Sequence, residues 1–227
     1  MKISTAGESH GKGLFGMIEG LPAGLKIDTD EIDGYLALRQ SGYGRGARQK
    51  IEHDRVEILS GVRDRVTLGS PVTLAVWNRD YENWKFRMAP EGCDTSARTL
   101  TKVRPGHADL TGLKKFGGTD ARNILERASA RETAVRVAAG TVCRQLLRAL
   151  GVEVSGYVRS VGNVSDEGEY TFDALSGRLG ELFMMDAGKQ AEAMRLIDAS
   201  REAGDTCGGV AELRVRGLKS GFGSCMT

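Results

Sequence analysis

The stretch that decides the reading runs from Arg104 to Gly140, RPGHADLTGLKKFGGTDARNILERASARETAVRVAAG. It opens on a histidine in a Pro-Gly turn and ends inside a helix. Ser129-Ala130-Arg131-Glu132 has the S-x-x-E form of a capping box. In that box Ser129 accepts the backbone N–H of Glu132, and Glu132 reaches back to the N–H of Ser129. From there to Leu150 the chain is rich in Ala, Val and Leu and free of proline, which predicts a long helix. Its apolar residues, among them Ala134, Val137, Val142, Leu146 and Leu150, cover more than one stripe, so most of the helix is expected to be buried.

The start of that helix carries the chemical interest. Unpaired N–H groups and the helix dipole favour an anion there, and Arg127 and Arg131 flank the cap. Between Arg98 and Arg131, eight Lys or Arg stand against three acids (Asp109, Asp120, Glu126), in a chain whose formal net charge is only +2. Charge concentrated in a balanced protein points to a site for a small anion; the alternative is a solvated basic loop ahead of a core helix.

At 227 residues, 27% charged and 40% hydrophobic, the chain has the composition of an ordinary globular protein able to bury a core. No apolar run approaches the roughly 18 residues of a membrane span, and the N-terminus MKISTAGESHG lacks the apolar stretch of a secretory signal. Cys93, Cys143, Cys207 and Cys225 are widely spaced and form no CxxC pair. They read as free thiols in a reducing compartment, so a cytoplasmic location and no metal site are expected. Glycine is the unusual count, 31 residues, about twice the average frequency of ~7%. Its clusters mark tight turns or places where backbone approaches a ligand.

Taken in order, Lys2 to Thr5 reads as a strand running into Gly7-Glu8-Ser9-His10-Gly11, and Leu14 to Glu19 as a second. A helix follows from Asp28 to Arg39. It leads into Arg39-Gln40-Ser41-Gly42-Tyr43-Gly44-Arg45-Gly46-Ala47-Arg48, where arginines spaced through glycine can fold round a phosphate or carboxylate. A nucleic-acid-binding segment would look partly similar, but this run is short and flanked by folded elements, so no nucleic-acid partner is expected. Val56 to Val62 and Val72 to Trp77 read as strands, and Asn78 to Arg98 as an irregular loop anchored by Trp84 and Phe86. Beyond the long helix, Val152 to Val161 is a strand, Gly162 to Glu181 a loop and Lys189 to Glu202 a helix. Val210 to Arg216 is a strand with Ala211, Leu213 and Val215 on one face. Periodicity alone gives mixed α and β.

The combination of GESHG (Gly7 to Gly11), RGAR (Arg45 to Arg48), RPGHAD (Arg104 to Asp109) and ASARETAVRVAAG (Ala128 to Gly140) resembles chorismate synthase, in the family's order. EGLPAG at Glu19 to Gly24 and VEILSGV at Val56 to Val62 link the motifs, and the resemblance covers essentially the whole chain as a single domain, 1–227. Members of the family are longer; GLKSGFGS near the end resembles their mid-chain turn, so the chain is expected to lack the family's C-terminal part, with its further flavin contacts and an acidic residue implicated in the chemistry. The resemblance implies an α+β fold, a layered β-α-β sandwich of long central helices between antiparallel sheets, assembled as a homotetramer. It implies a lyase of the shikimate pathway of aromatic amino-acid biosynthesis, converting 5-enolpyruvylshikimate 3-phosphate to chorismate and phosphate by anti 1,4-elimination. An inactive flavin- or anion-binding fragment of that family is the alternative. Reduced FMN is the implied cofactor, with NADPH the candidate reductant of the flavin. By similarity His10 lies near the leaving phosphate and His107 near the flavin. Arg39, Arg45, Arg48 and Arg131 would grip the substrate's phosphate and carboxylates, and Arg127, Ala128 and Ser129, with Arg39 and Arg45, would contact FMN. The third histidine, His53, has no implied role.

Overall fold

A computed structural model describes residues 1–44, 53–96, 98–176 and 180–222. The fold is α+β, with three antiparallel sheets among the described residues. Contacts divide the chain into two compact units: residues 1–39 with 47–143, and 40–46 with 144–227.

In the first unit β1 (Lys2–Gly7), β2 (Gly13–Glu19), β6 (Val72–Trp77) and β3 (Glu57–Ser60) form one sheet in the order β1-β2-β6-β3. Alternation sets its buried face: Leu14, Gly16 and Ile18 of β2 point one way and meet Val76, Leu74 and Val72 of β6 in register. All five apolar side chains of that set are fully buried. Gly16 leaves room for the long helix α5 (Thr133–Ala149), because a methyl there would come 2.9 Å from Val135 Cγ2. Between β3 and β6 lies the short hairpin of β4 (Val62–Arg63) and β5 (Val66–Thr67). Helix α1 (Thr29–Gln40) is capped by Asp28, whose Oδ1 accepts the N–H groups of Asp30 and Glu31.

Three short helices occupy stretches without strong periodicity: α2 (Tyr81–Met88), α3 (Asp109–Phe116) and α4 (Arg122–Ala128). The first replaces part of the expected loop from Asn78 to Arg98. Trp84 is its buried anchor, whereas Phe86, expected to share that task, is 73% exposed.

The expected capping box does not form. Residues Ala130–Glu132 make a 3-10 turn ahead of α5, and Ser129 Oγ accepts from the N–H of Arg131, not of Glu132. The Glu132 carboxylate instead takes Thr5 Oγ1 at 2.7 Å and Arg136 Nε at 2.6 Å, because a charge-assisted pair outbids a backbone N–H.

The second unit carries the sheet β8-β7-β9, from β7 (Glu153–Val161), β8 (Val164–Ser165) and β9 (Gly209–Arg216). Val164, Met184 and Ala193 of α6 (Ala187–Glu202) form its core, with Val158, Val161, Leu182 and Leu196 packed on them. The alternation expected in β9 is present, and its apolar face is the more exposed one. Leu213 and Val215 are 69% and 48% exposed, while Glu212 on the opposite face accepts from Tyr157 and Arg214. No helix among the described residues is long and apolar enough to cross a membrane.

Candidate active site

The loop between β1 and β2 holds His10, and its shape depends on Gly7. That residue has φ +106°, and a side chain there would run into the Gly13 carbonyl oxygen. The loop is fastened from two sides. Asn78, at the end of β6, donates through Nδ2 to the carbonyls of Gly11 (2.8 Å) and Glu8 (3.1 Å). Glu126, on α4, accepts the backbone N–H of His10 at 2.8 Å, and its own carbonyl accepts the N–H of Ser9.

Glu126 also receives the imidazole. Nδ1 of His10 lies 2.9 Å from both carboxylate oxygens, and the Glu126 side chain is 1% exposed. Arg122, one turn earlier on α4, adds a longer contact at 3.4 Å. Burial pushes the Glu126 carboxyl up, but the hydrogen bonds and charge of His10, with the bond from Arg122, outweigh it and hold the group below its ordinary value. The ring of His10 stacks on Trp84 at 3.9 Å between centroids, and the guanidinium groups of Arg98 and Arg122 lie 4.4 and 5.5 Å from the Trp84 ring.

Asn78 connects this loop to a second cluster, since its Oδ1 accepts from Arg131 Nε at 2.8 Å. Arg131 donates through Nη1 to both oxygens of Asp54, at 2.6 and 2.7 Å, and Asp54 Oδ2 also accepts from Arg39 Nη2 at 2.8 Å. Arg131, placed by sequence among the substrate-gripping arginines, is therefore turned inward and only 7% exposed, with Nη2 directed at the Trp77 carbonyl. A buried arginine needs a buried carboxylate, and Asp54 is that partner. Arg39 keeps more of its valence: Nε is buried with no hydrogen-bond partner among the described residues, and Nη1 reaches Thr133 Oγ1 at 3.4 Å.

His107 sits in a cluster of its own motif. Its Nδ1 lies 2.8 Å from Asp109 Oδ1 and 2.8 Å from Arg104 Nη2, and Arg104 grips both oxygens of Asp109. Asp109 is fully buried at the start of α3. The Arg104 guanidinium, with the Arg104 N–H and His107, holds its carboxyl well below the usual carboxylate range, against the upward push of burial.

The segment Arg127-Ala128-Ser129 is the joint between α4 and the 3-10 turn, with Ser129 extended at φ −62°, ψ 146°. Arg127 Nη2 donates to the carbonyl and hydroxyl of Thr5, while Nη1, 3.4 Å from Glu132, is buried with no hydrogen-bond partner among the described residues. Arg45 and Arg48 lie outside the described residues. Among the described residues no group of His, Cys, Asp or Glu is arranged to hold a metal ion. Sequence reasoning missed Glu126, Asp54 and Asn78. Only Glu126 gave a signal, as an acid in a basic stretch, four residues after Arg122.

Comparison with known proteins identifies the chain's family. The chorismate synthase family model matches residues 1–227. The chorismate synthase of Trichlorobacter lovleyi is 52% identical over 231 residues, covering 99% of this chain and 58% of that protein. That of Limosilactobacillus fermentum is 52% identical, covering 97% and 58%. Caldicellulosiruptor bescii has one 47% identical, covering 99% and 60%. A crystal structure of chorismate synthase superposes with a TM-score of 0.71 at 37% identity, over 94% of this chain and 57% of that one. The chain thus spans just under three-fifths of the length of these relatives, and over that span it belongs to the chorismate synthase family of lyases.

Proposed function

We propose that this chain carries the elimination chemistry of its family: loss of phosphate from 5-enolpyruvylshikimate 3-phosphate, with a proton leaving carbon, to give chorismate. The observation that carries the reading is His10, held between a buried carboxylate and an indole at the turn of a Gly-bounded loop. Histidine is the side chain suited to exchange protons at physiological pH, and an imidazole so placed can give one to a phosphate as the C–O bond breaks. The bonding pair leaves with the phosphate oxygen, the ring double bond shifts to the carbon that loses it, the electrons of the C–H bond form the second double bond, and the proton released from carbon balances the one given to phosphate.

Arg39, with Arg45 and Arg48, would bind the substrate's phosphate and carboxylates. Arg131 would act behind them, fixing Arg39 through Asp54. For the cofactor the residues fit: Arg39 Nε and Arg127 Nη1, buried donors with no hydrogen-bond partner among the described residues, suit an anionic group such as FMN, and Arg127, Ala128 and Ser129 would hold it together with Arg39 and Arg45. When bound, reduced FMN supplies transient electron density to the breaking C–O bond. His107, kept in place by Asp109, would hold or move a proton beside it. A homotetramer is part of the same proposal.

The test is an anaerobic assay of the 227-residue chain with reduced FMN and 5-enolpyruvylshikimate 3-phosphate, following chorismate absorbance and phosphate release. Turnover is expected, abolished in His10→Ala. No turnover alongside an active full-length relative overturns it, and saturable FMN binding under those conditions would establish the inactive fragment instead.

A further inference from the structure

We propose that Glu126 is the positioning residue of His10, holding its imidazole as the Nδ1–H tautomer so that proton exchange with the substrate passes through Nε2. The inference deepens the elimination reading and rests on it for its kinetic consequence, but the tautomer itself can be measured independently.

A carboxylate removed from water must be met by donors, and those of Glu126 come chiefly from one residue 116 positions away in sequence: the backbone N–H and the ring Nδ1 of His10. An ionised carboxylate only accepts hydrogen bonds. With both oxygens at 2.9 Å, Nδ1 must carry the proton, and Nε2 is then the nitrogen left with the lone pair. The depressed pKa of Glu126 is consistent with the ionised state this requires. The Trp84 stack fixes the plane of the ring, so the direction in which Nε2 points is set by α2 and the tautomer by α4. The same division of labour, a carboxylate on one ring nitrogen and chemistry on the other, operates wherever histidine must present a chosen nitrogen.

A purely structural role would have Glu126 hold only the Ser9–His10 backbone. Glu126→Gln separates the two. The amide keeps the volume and one acceptor oxygen, but it is neutral, and its NH2 cannot receive Nδ1–H. With the ring nitrogens labelled with 15N, the chain's three histidines can be assigned by replacing each in turn. Wild-type His10 is expected as Nδ1–H when neutral, with the Nε2–H form growing in Glu126→Gln. In kinetics kcat should fall at least ~100-fold, within the range lost with a proton-transfer group, with KM changing much less, and Glu126→Asp should recover part of kcat.

A wild-type His10 that is mainly Nε2–H when neutral overturns the proposal without any variant, which covers the case of a Glu126→Gln chain that does not fold. An unchanged tautomer in Glu126→Gln overturns it equally, whatever the turnover. If the tautomer responds as expected but the wild-type chain makes no chorismate, the elimination reading of this chain fails and the positioning role stands.

Discussion

Asp54 is the residue on which the cations of the site depend. It is 6% exposed and takes Arg131 Nη1 on both oxygens and Arg39 Nη2 on one. Charged groups at that depth are stable only as a set, since removing one leaves another uncompensated. Arg131→Ala should therefore lower unfolding stability by about 3–5 kcal/mol, the range for breaking a buried pair, read as a shift of the urea midpoint at constant m. Arg131→Lys should recover only part of it, because an ammonium cannot present the fork that meets Asp54 and Asn78 together. A midpoint within error of wild type for the alanine variant would show that Arg131 is not structurally committed. Asp54 was illegible in sequence for a simple reason. It stands between His53 and Arg55 with no periodic context, and its partner is 77 residues downstream.

At the level of elements, close packing at single glycines sets how helices approach. Gly112, inside α3, faces Ile124 of α4: an added Cβ would lie 2.5 Å from Ile124 Cγ2 and 2.8 Å from Cδ1. In an exposed helix Gly→Ala gains about 1 kcal/mol. Here the clash is with a β-branched side chain of stiff χ1, and overpacking costs about 1–3 kcal/mol. Gly112→Ala is thus expected to lower the thermal midpoint, and a raised midpoint would mean that Ile124 can rotate away freely. The strands β1, β2, β6, β7 and β9, the helices α1 and α6 and the long helix α5 were all legible, because alternation and 3.6-residue periodicity encode them directly. Helices α2, α3 and α4 were not. They are seven or eight residues long, and their partners are distant residues that no local pattern announces. The S-x-x-E signal failed for a related reason: Glu132 met Thr5 and Arg136, and tertiary partners took the carboxylate from the cap.

For the whole molecule, carboxylates set the pH range of stability. Asp109 is held below its ordinary value by Arg104 first and then by neighbouring N–H donors. In Glu126, Glu132 and Asp166 burial pushes upward, but hydrogen bonds and charges outweigh it. Depressed folded pKa values stabilise the protein above the unfolded carboxylate range, and the contribution is lost as pH falls through that range toward the folded values. The thermal midpoint by circular dichroism should be level from neutrality to about pH 5 and fall steeply below about pH 4. Asp109→Asn should reduce both the neutral-pH midpoint and the steepness of the acid decline. A midpoint that stays level to pH 3 would contradict the assignment. The family and the residues of its motifs were legible in sequence. That Asp109 and Glu126 organise the motif histidines was not, since the role is visible only when α3 and α4 bring the carboxylates alongside.

The stack of His10 on Trp84 also makes the protein its own optical probe. An excited indole in contact with an imidazole loses emission when that imidazole becomes cationic. The only other tryptophan, Trp77, is 45% exposed on β6, and phenylalanine in its place keeps the backbone pairing with Gly13 and a ring beside Phe15 while removing the second indole. The fluorescence of the remaining indole then follows the charge on a single histidine, in the absence of substrate, flavin or isotope label.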